Sequence, residues 1–464
     1  MPDPHLPGDG PGQTQNPPQG PSPKPDRLAV RAFLGMVCRV LWPLSAAILR
    51  PFFQKRLAFE RKNRPAPLPT FPDKRAHIAF EVSSEGELEQ IRFLLEDILR
   101  EGKIVELIYC SESVEKNVDH LLQTFPKALR VFRLPLLTSS PLTDPKSSAL
   151  HFLTAPILVL CRYDFFPELL LYGLTKARLF VLLSGALSPR ARGMGALFYR
   201  PLFRLFDLIV PVSPQEGERF KALLGSPVSR ALDLRALRIR SRLQKAHTTF
   251  RAKGMERYLD FIESWPGENR LLLGQFYAHE FDIIKDPALW QALSEGKILL
   301  CLCLHSSSQK ERDETVRKAL AFSDSFPSLP PLQIIGEKEL QGGEFSPFHL
   351  LDLRGVLCEL YSLFPVSYIG GGFGKSIHSV LEPFLADSHV ICGPKVHRSS
   401  EYEFIHTQYP KALTTLSRKE DFLGAFRKAL DKKHTFLGLG PRFMTIMEER
   451  YEKLRRELLY DPSR

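Results

Sequence analysis

The chain has 464 residues, 44% of them hydrophobic, which is enough to fill the cores of two ordinary domains and excludes a peptide module or a wholly disordered protein. Lysine and arginine total 63 against 52 aspartates and glutamates, and the resulting net charge of +11 suggests an anionic partner: nucleic acid, phosphorylated substrate or membrane surface. The seven cysteines lie inside apolar runs without a Cys-x-x-Cys pair, so we expect reduced core residues of a cytoplasmic protein.

The N-terminal region divides into two parts of different composition. Residues 1–27 are rich in proline, glycine, glutamine and serine, which predicts a disordered tail; they lack the apolar region of a signal peptide. Residues 28–64 combine apolar residues and Trp42 with arginines. Their longest uncharged run, 40–49, is shorter than the ~20 residues that a helix needs to cross a bilayer. We therefore expect an amphipathic helix lying in the membrane surface, the alternative being a buried helix that caps the first domain.

From residue 77 onward, short apolar runs alternate with amphipathic stretches, the pattern of parallel strands joined by crossover helices. Apolar residues at helical spacing predict a helix over 85–101. The strands predicted in this first series are 77–82, 104–109, 156–161, 179–183 and 208–212.

A strongly basic segment, 230–251, separates this series from a second one. We expect its charges to form a solvated helix face, and we place the domain boundary here. The strands of the second series are 270–273, 298–304, 332–335, 367–369 and 389–392. The sequence thus predicts an α/β protein with two Rossmann-like domains facing across a cleft. The predicted units are the tail (1–27), the membrane-associated helix (28–64), an N-terminal domain (65–230), a basic interdomain segment (231–267), a C-terminal domain (268–440) and a C-terminal helix (441–464).

The strongest local signal is Y-I-G-G-G-F-G-K-S-I-H-S-V-L-E-P at 368–383. A strand runs into glycines, whose missing side chains are expected to let a ligand approach the backbone, and a helix follows. Phosphate or the phosphate of a nucleotide sugar is the expected ligand, and Glu382 can bind two vicinal sugar hydroxyls. A glycine-rich turn that only packs is the alternative. The segment I-C-G-P-K at 391–395 favours ligand binding.

The motifs together resemble those of the 3-deoxy-D-manno-octulosonic acid (Kdo) transferases, GT-B glycosyltransferases that attach Kdo from CMP-Kdo to a lipid A precursor. The similarity runs from about residue 41 to about residue 404, in the order of the family. The matching motifs are S-x-G-E at 84–87, D-x-R-x-x-R at 233–238, D-x-x-G-x-L-x-x-x-Y at 352–361, and the glycine-rich loop at 370–382.

This resemblance implies a GT-B fold in which the N-terminal domain binds the acceptor and the C-terminal domain binds the nucleotide sugar. Glu87 is implied as the general base that accepts the proton of the acceptor hydroxyl; a glutamate favoured only by the helix dipole is the alternative. The implied donor-binding residues are His279, His305, Gly355, Gly371, Gly372, His378, Ser379 and Glu382. The implied acceptor-binding residues are Ser84, Gly86 and Arg190.

Apart from Ser379, which stands in place of an asparagine, and a segment that matches only at His279, three departures from the pattern of the family change a charge. Arg162 stands in place of an acid, and Ala186 and Leu304 each stand in place of an arginine. Because leucine cannot replace an arginine that grips phosphate, Lys310 or Arg312 is a candidate for that contact. Two alternatives therefore stay open: a GT-B paralogue with a different donor or acceptor, and a catalytically inactive binding protein.

The implied partners are CMP-Kdo or another nucleotide sugar, a lipid A precursor and an anionic membrane surface. Nucleic acid is not expected, because the basic stretches lack interleaved exposed aromatic residues. Residues 193–206 offer a second apolar and basic patch for the bilayer. The implied location is the cytoplasmic face of the bacterial inner membrane, peripheral or monotopic, in lipopolysaccharide biosynthesis. No cofactor or metal is expected, since a CMP-sugar carries a single phosphate.

Overall fold

The computed structural model describes residues 27–62, 75–138, 148–162, 164–191, 193–304, 309–326, 329–397 and 399–459. Over these ranges, the chain forms two parallel β-sheets with helices packed against their apolar faces. The predicted α/β architecture with two Rossmann-like halves is confirmed.

The first sheet lies in the N-terminal half of the chain. Its strands are β1 (Ile78–Val82), β2 (Val105–Tyr109), β3 (Leu129–Arg133), β4 (Ile157–Cys161), β5 (Leu179–Gly185) and β6 (Leu208–Pro211). They are all parallel, in the order β3-β2-β1-β4-β5-β6. The order reverses between β1 and β4, and the carboxyl ends of two such strands border the crevice where open α/β sheets bind ligands.

The second sheet lies in the C-terminal half. Its strands are β7 (Arg270–Phe276), β8 (Leu299–Leu304), β9 (Gln333–Ile335), β10 (Phe348–Leu351), β11 (Val366–Ile369), β12 (His389–Cys392) and β13 (Leu413–Thr415). Their parallel order is β13-β12-β11-β7-β8-β10-β9, so the reversal falls between β11 and β7. Each sheet therefore carries one switch point at the carboxyl ends of its strands.

The helices of the N-terminal half are α1 (Arg27–Met36), α2 (Trp42–Leu49), α3 (Gln54–Lys62), α4 (Glu85–Arg100), α5 (Glu115–Thr124), α6 (Ala149–Phe152), α7 (Pro167–Thr175), α8 (Gly195–Phe203) and α9 (Pro214–Leu224). Those between the sheets are α10 (Leu234–Gln244), α11 (Ala246–Ala252) and α12 (Glu256–Glu263). Those of the C-terminal half are α13 (Pro287–Ser294), α14 (Gln309–Asp324), α15 (Leu357–Leu360), α16 (Leu381–Leu385), α17 (Ser400–Gln408), α18 (Phe422–Asp431) and α19 (Leu439–Leu459).

All the strands predicted from the sequence are present, with ends that differ by at most three residues. The sequence analysis missed β3, β10 and β13. The cysteines are buried and free of disulfides, as expected of core thiols.

The N-terminal helix contains a longer apolar stretch than its uncharged run indicated. A π-helical turn, Val37–Leu41, joins α1 to α2 without a break, and Leu28–Leu49 is long and apolar enough to cross a membrane by length and composition. The expectation that this segment is too short to cross a bilayer was therefore wrong by length and composition, because the helix includes Arg31 and Arg39 within a longer apolar stretch. Residues 50–53 separate this helix from α3.

The same helix lies along the first domain over its whole length. Arg31 Nη2 donates to Leu174 O at 2.7 Å, near the start of the helix. Trp42 Nε1 donates to Leu136 O at 3.1 Å, and Arg50 Nε donates to Leu137 O at 3.0 Å, towards its end. The opposite side of the helix remains apolar and exposed. Its exposed residues include Leu28, Phe33, Met36, Leu44 and Ile48, followed by Phe52 and Phe53.

The last helix, α19, connects the two halves. Its start packs on α16, where a Cβ at Gly440 would collide with Phe384 O. Further along, the Tyr451 ring contacts Phe93 of α4 edge-on at 5.2 Å, and Tyr451 Oη donates to Asp97. The C-terminal helix thus returns to the first domain and packs on the helix that begins at the end of β1.

Candidate active site

Glu87 lies in the first turn of α4, directly after the carboxyl end of β1. Ser84, the residue before the helix, has an extended backbone, and its Oγ accepts a hydrogen bond from Glu87 N–H at 3.3 Å. In return, Ser83 N–H donates to Glu87 Oε2 at 2.6 Å. This arrangement resembles a capping box, in which a serine and a glutamate three residues later satisfy backbone donors at a helix start. The S-x-x-E spacing therefore fixes both the helix start and the direction of the Glu87 carboxyl group.

The surroundings of Glu87 bring the pKa of its carboxyl group close to neutral pH. The side chain is buried, and burial raises the pKa of Glu87 from 4.5 to about 7. The charge of Asp164 also raises this pKa, whereas the hydrogen bond from Ser83 and the charge of Arg162 lower it. A carboxyl group with a pKa near the working pH is suited to general base catalysis, because it is both ionised and basic enough to accept a proton.

Polar residues also occupy the ends of the neighbouring strands β4 and β5. Arg162 has φ 64° and Ser184 has φ 54°, the left-handed region that residues other than glycine seldom adopt. Ser184 Oγ is buried and has no hydrogen-bond partner among the residues that the structure describes. Strained backbone and unsatisfied polar groups occur preferentially at functional sites. Together with Asp164 and Glu87, these residues form a polar cluster at the switch point of the first sheet.

The predicted acceptor-binding residues lie on this same edge of the sheet. A Cβ at Gly86 would meet nothing closer than Ser84 Oγ at 4.0 Å, so packing within the chain does not require glycine there. Arg190 is exposed in the turn that follows β5. Contact of Ser84, Gly86 and Arg190 with an acceptor stays a prediction.

In the second sheet, the glycine-rich loop follows β11 and lies beside the end of β7. Glu280, which is fully buried, joins the two segments. Its carboxyl group accepts hydrogen bonds from Tyr368 Oη at 2.7 Å, from Gly371 N–H at 2.9 Å and from Tyr277 N–H at 3.1 Å. Glu280 was not singled out from the sequence, although it is adjacent to His279 in a segment that was.

The glycines of this loop lie in close contact with other parts of the protein. A Cβ at Gly370 would collide with Gln275 O, one at Gly372 with the backbone of Gly393, and one at Gly374 with the ring of His279. Gly371 has φ 106°, which a side chain rarely tolerates. The missing side chains therefore allow close packing of the protein on itself, and contact of Gly371 and Gly372 with a donor stays a prediction. The helix α16 begins only at Leu381.

An aromatic stack and several lysines surround the loop. Tyr277 Oη and His378 Nε2 are 2.6 Å apart, and the Tyr277 ring stacks on His378 at 5.4 Å and on His279 at 5.3 Å. Lys375 Nζ lies 5.1 Å from the centre of the Tyr277 ring. Lys419 Nζ donates to His279 O at 3.0 Å.

This part of the site is cationic. Lys395 Nζ donates to Gly374 O at 2.8 Å, so it too lies at the loop. Burial lowers the pKa of His279, and the charges of Lys419 and Lys375 lower it further. The sequence analysis missed these lysines because they come from separate segments of the chain. This cluster of lysines beside aromatic rings, called here the cationic cluster, is suited to an anionic ligand.

Glu382 lies at the start of α16, close to the basic helix α10. Arg242 Nη1 is 3.8 Å from Glu382 Oε1, and the same guanidinium grips Glu359 through two hydrogen bonds of 2.9 and 2.8 Å. Arg242 Nη2 also donates to Gly355 O at 3.3 Å, and Gly355 has φ 80°. Arg242 therefore brings two predicted donor-binding residues, Glu382 and Gly355, to one place.

Ser379 is engaged within the protein. Its Oγ donates to Glu401 Oε2 at 2.7 Å, and Arg235 Nη1 donates to Glu401 Oε1 at 2.6 Å. Arg238 forms an ion pair with Glu89 of α4. The basic segment was expected to be a solvated helix face, and this is wrong for α10: its arginines pair with acids of both domains and hold the two sides of the site together.

A further cavity of about 460 Å³ lies at the carboxyl ends of β9 and β10, lined by Arg312, Asp352 and Arg354 among others. Arg312 pairs with Asp352, so this candidate for the phosphate contact is engaged with an acid of the D-x-x-G segment. His305 lies outside the described residues.

Comparison with known proteins adds family and fold information. Residues 53–237 match the family described as 3-deoxy-D-manno-octulosonic-acid transferase (kdotransferase). No curated protein matches the chain by sequence.

Among solved structures, the chain is similar to a UDP-GlcNAc 2-epimerase from Neisseria meningitidis bound to UDP-GlcNAc, with 12% identity and a TM-score of 0.51 over 82% of this chain and 100% of that one. It is also similar to UGT73P12 from Glycyrrhiza uralensis, with 10% identity and a TM-score of 0.50 over 83% and 96% of the two chains. The C-terminal CMP-Kdo binding domain of WaaA from Acinetobacter baumannii aligns at 13% identity over 48% of this chain and 99% of that domain, with a TM-score of 0.29. The likenesses to the first two structures establish the GT-B fold.

Proposed function

We propose that the protein is a glycosyltransferase that transfers Kdo from CMP-Kdo to a lipid A precursor, since residues 53–237 match the Kdo transferase family and the chain has the GT-B fold. The observation that carries this proposal is Glu87: a buried carboxyl group with a pKa of about 7, held in the matched region at the switch point of the first sheet.

Glu87 acts as the general base of the transfer. As the acceptor hydroxyl oxygen bonds to the anomeric carbon of the sugar, its proton passes to the Glu87 carboxylate. The bond between the anomeric carbon and the phosphate oxygen breaks, and CMP leaves with the electron pair. Ser83 N–H orients the carboxylate, and the low exposure of Glu87 limits competition from water for the proton.

The cationic cluster of the second sheet holds the donor. Lys375, Lys395 and Lys419 supply positive charge around the aromatic stack, which stabilises the phosphate of the donor and the charge that grows on departing CMP. Glu382 accepts hydrogen bonds from sugar or ribose hydroxyls. His279 and His378 contact the phosphate or the sugar carboxylate.

The acceptor is delivered from a membrane surface, at the cytoplasmic face of the bacterial inner membrane. Leu34 of α1 and Phe203 of α8 belong to one hydrophobic cluster on the same face of the first sheet, so both helices lie on that side of the domain. Ile48 is 69% exposed and Leu197 of α8 is 80% exposed. Because hydrogen bonds hold the N-terminal helix along the domain at both ends, we favour a helix that lies in the membrane surface over one that spans it.

A GT-B enzyme with a different donor or acceptor is the second candidate. The observation that favours it is Arg162, a base in a strained conformation beside Glu87 where the family pattern has an acid. A catalytically inactive binding protein is the third candidate.

The test is an incubation of the purified protein with CMP-Kdo and a tetra-acylated lipid A precursor, with the product mass recorded. Transfer by wild type and its loss in Glu87→Gln are expected, with a fall in rate of ~10²–10⁴-fold. Glu85→Gln is the matched control, because Glu85 lies in the same helical turn but is exposed and bonded to Asn117. Equal rates for wild type and Glu87→Gln refute the assignment of the base. Absence of transfer with CMP-Kdo but activity with another nucleotide sugar supports the second candidate.

A further inference from the structure

Glu81 is a second buried carboxyl group beside Glu87, and the mechanism above leaves it without a role. It lies within β1 and is 1% exposed, which is rare for a glutamate. Its Oε1 accepts a hydrogen bond from Ser83 Oγ at 2.9 Å. Its Oε2 is buried and has no hydrogen-bond partner in the described part of the chain. A buried carboxylate left in this state would carry a large desolvation cost, whereas a protonated carboxyl group is much less costly to bury.

The groups around Glu81 favour the protonated form. The charged and titratable side chains that interact with it are Glu87, Cys110, Cys161 and Asp164, and two arginines, Arg56 and Arg162, interact with the thiols of Cys110 and Cys161. Burial raises the pKa of Glu81 well above 4.5, and the charges of Asp164 and Glu87 raise it further, whereas the hydrogen bond from Ser83 and the backbone of Cys161 lower it by a smaller amount. Burial also raises the pKa of Cys110 to about 11 and that of Cys161 well above 9.0, so neither thiol is charged at neutral pH.

Ser83 connects the two glutamates. Its hydroxyl group donates to Glu81, and its backbone N–H donates to Glu87 Oε2 at 2.6 Å. Cys110 Sγ also donates to Ser83 Oγ at 3.3 Å, so the serine is held from two sides. Ser83 and Ser84 join β1 to α4, so a displacement of Ser83 also displaces the start of the helix that carries Glu87.

We propose that Glu81 is a positioning residue for Glu87: its neutral carboxyl group fixes Ser83, Ser83 fixes the Glu87 carboxylate, and the pair holds a single negative charge that resides on Glu87. This inference rests on the proposed function in that it takes Glu87 as the base. Two carboxyl groups so close in a buried site do not ionise independently, and keeping Glu81 neutral leaves the charge on the residue that accepts the proton.

The first test reads the protonation states without any sugar transfer. Infrared absorption spectra recorded from pH 5 to pH 9 in ²H₂O are expected to show in wild type a protonated carboxyl band that persists at pH 8 and is missing in Glu81→Gln. A second band should titrate with a midpoint of about 7 and be missing in Glu87→Gln. Exposed Glu85→Gln should retain both bands. Absence of the persistent band in wild type shows that Glu81 is ionised and overturns the proposal, whatever the enzyme transfers.

The second test separates positioning from a general structural role. Glu81→Leu removes the hydrogen bond to Ser83, so kcat is expected to fall about 10- to 100-fold with little change in KM. The acid limb of the pH–rate profile of this variant should move to higher pH, because a displaced Ser83 no longer lowers the pKa of Glu87. Glu81→Gln keeps a neutral acceptor and should recover most of the lost rate, with the acid limb of wild type.

Two kinetic results would overturn the proposal. An acid limb that moves to lower pH in Glu81→Gln would show that Glu81 carries charge in wild type, and Glu81→Leu with the kcat of wild type would show that Ser83 needs no support. If Glu81→Leu does not fold, the spectra and the Glu81→Gln profile decide. If wild type transfers no sugar at all, the proposed function fails, and the spectra alone decide this inference.

Discussion

Replacing Glu87 by glutamine is expected to stabilise the folded protein at high pH. The folded-state pKa of Glu87 lies above its ordinary value, so the folded protein binds this proton more tightly than the unfolded chain does. Between the two pKa values the unfolded chain therefore holds fewer protons, and the free energy of unfolding falls as the pH rises. The penalty is absent below pH 4.5 and complete above about pH 7. Because glutamine does not titrate, the variant does not lose this free energy of unfolding as the pH rises.

The gap between 4.5 and about 7 corresponds to about 3 kcal/mol. Glutamine can still accept the Ser83 N–H hydrogen bond through its amide oxygen, so most of this difference should appear as added stability at pH 8. At pH 4.5 the two proteins should be nearly equal. The exposed control Glu85→Gln should change stability by less than about 0.5 kcal/mol at either pH.

The assay is urea unfolding followed by circular dichroism at half-unit steps from pH 4.5 to pH 8.5, with equal slopes required for each comparison. The difference between Glu87→Gln and wild type should grow across the interval from pH 5 to pH 7 and then level off. A difference that is constant with pH, or that grows only below pH 4.5, would refute the argument that burial raises the proton affinity of Glu87.

Three further predictions concern the donor side and the membrane. Glu382→Gln should abolish the rise in melting temperature that CMP-Kdo produces in wild type, because a ligand stabilises only the state that binds it; an unchanged shift would exclude Glu382 from the donor site. Gly374→Ala should lower the free energy of unfolding by ~1–3 kcal/mol and weaken the same shift, since its Cβ collides with His279; stability equal to wild type would contradict the packing described. Phe52→Ser combined with Phe53→Ser should weaken sedimentation with anionic vesicles at unchanged melting temperature, as both rings are exposed; undiminished sedimentation would remove this segment from the membrane contact.

The parts of the fold that could be predicted are those encoded locally. Interior strands such as β4 and β8 are continuous apolar runs, because a parallel sheet buries both of their faces. The missed strands lack this signal. β3 reads L-R-V-F-R and lies at one edge of its sheet, and β13 has only three residues and lies at the edge of the other. β10 contains a polar residue, His349, which is buried and hydrogen-bonded to Tyr258.

The candidate site was predictable where one short motif carries it. The S-x-G-E motif located Glu87 because the residue that caps the helix, Ser84, and the residue that carries the carboxyl group, Glu87, belong to the same four-residue segment. The arginines of α10 could not be assigned in this way, since Arg235 and Glu401 are 166 residues apart in the sequence, and Arg242 and Glu359 are 117 apart. A run of basic residues looks the same whether its partners are water or distant acids.

The return of α19 to the first domain has a consequence for how the protein is made. Tyr451 and Asp97 are 354 residues apart, so at ~5–20 residues per second a ribosome needs ~20–70 s between them. During that interval the face of α4 that includes Phe93 has been synthesised but lacks its cover. The N-terminal half is therefore synthesised first, but its hydrophobic core is completed only after α19 has been synthesised. A fragment that ends before residue 268 lacks this part of its core. A stable N-terminal fragment requires the helix Leu439–Leu459 to be supplied, either by fusion or as a separate peptide.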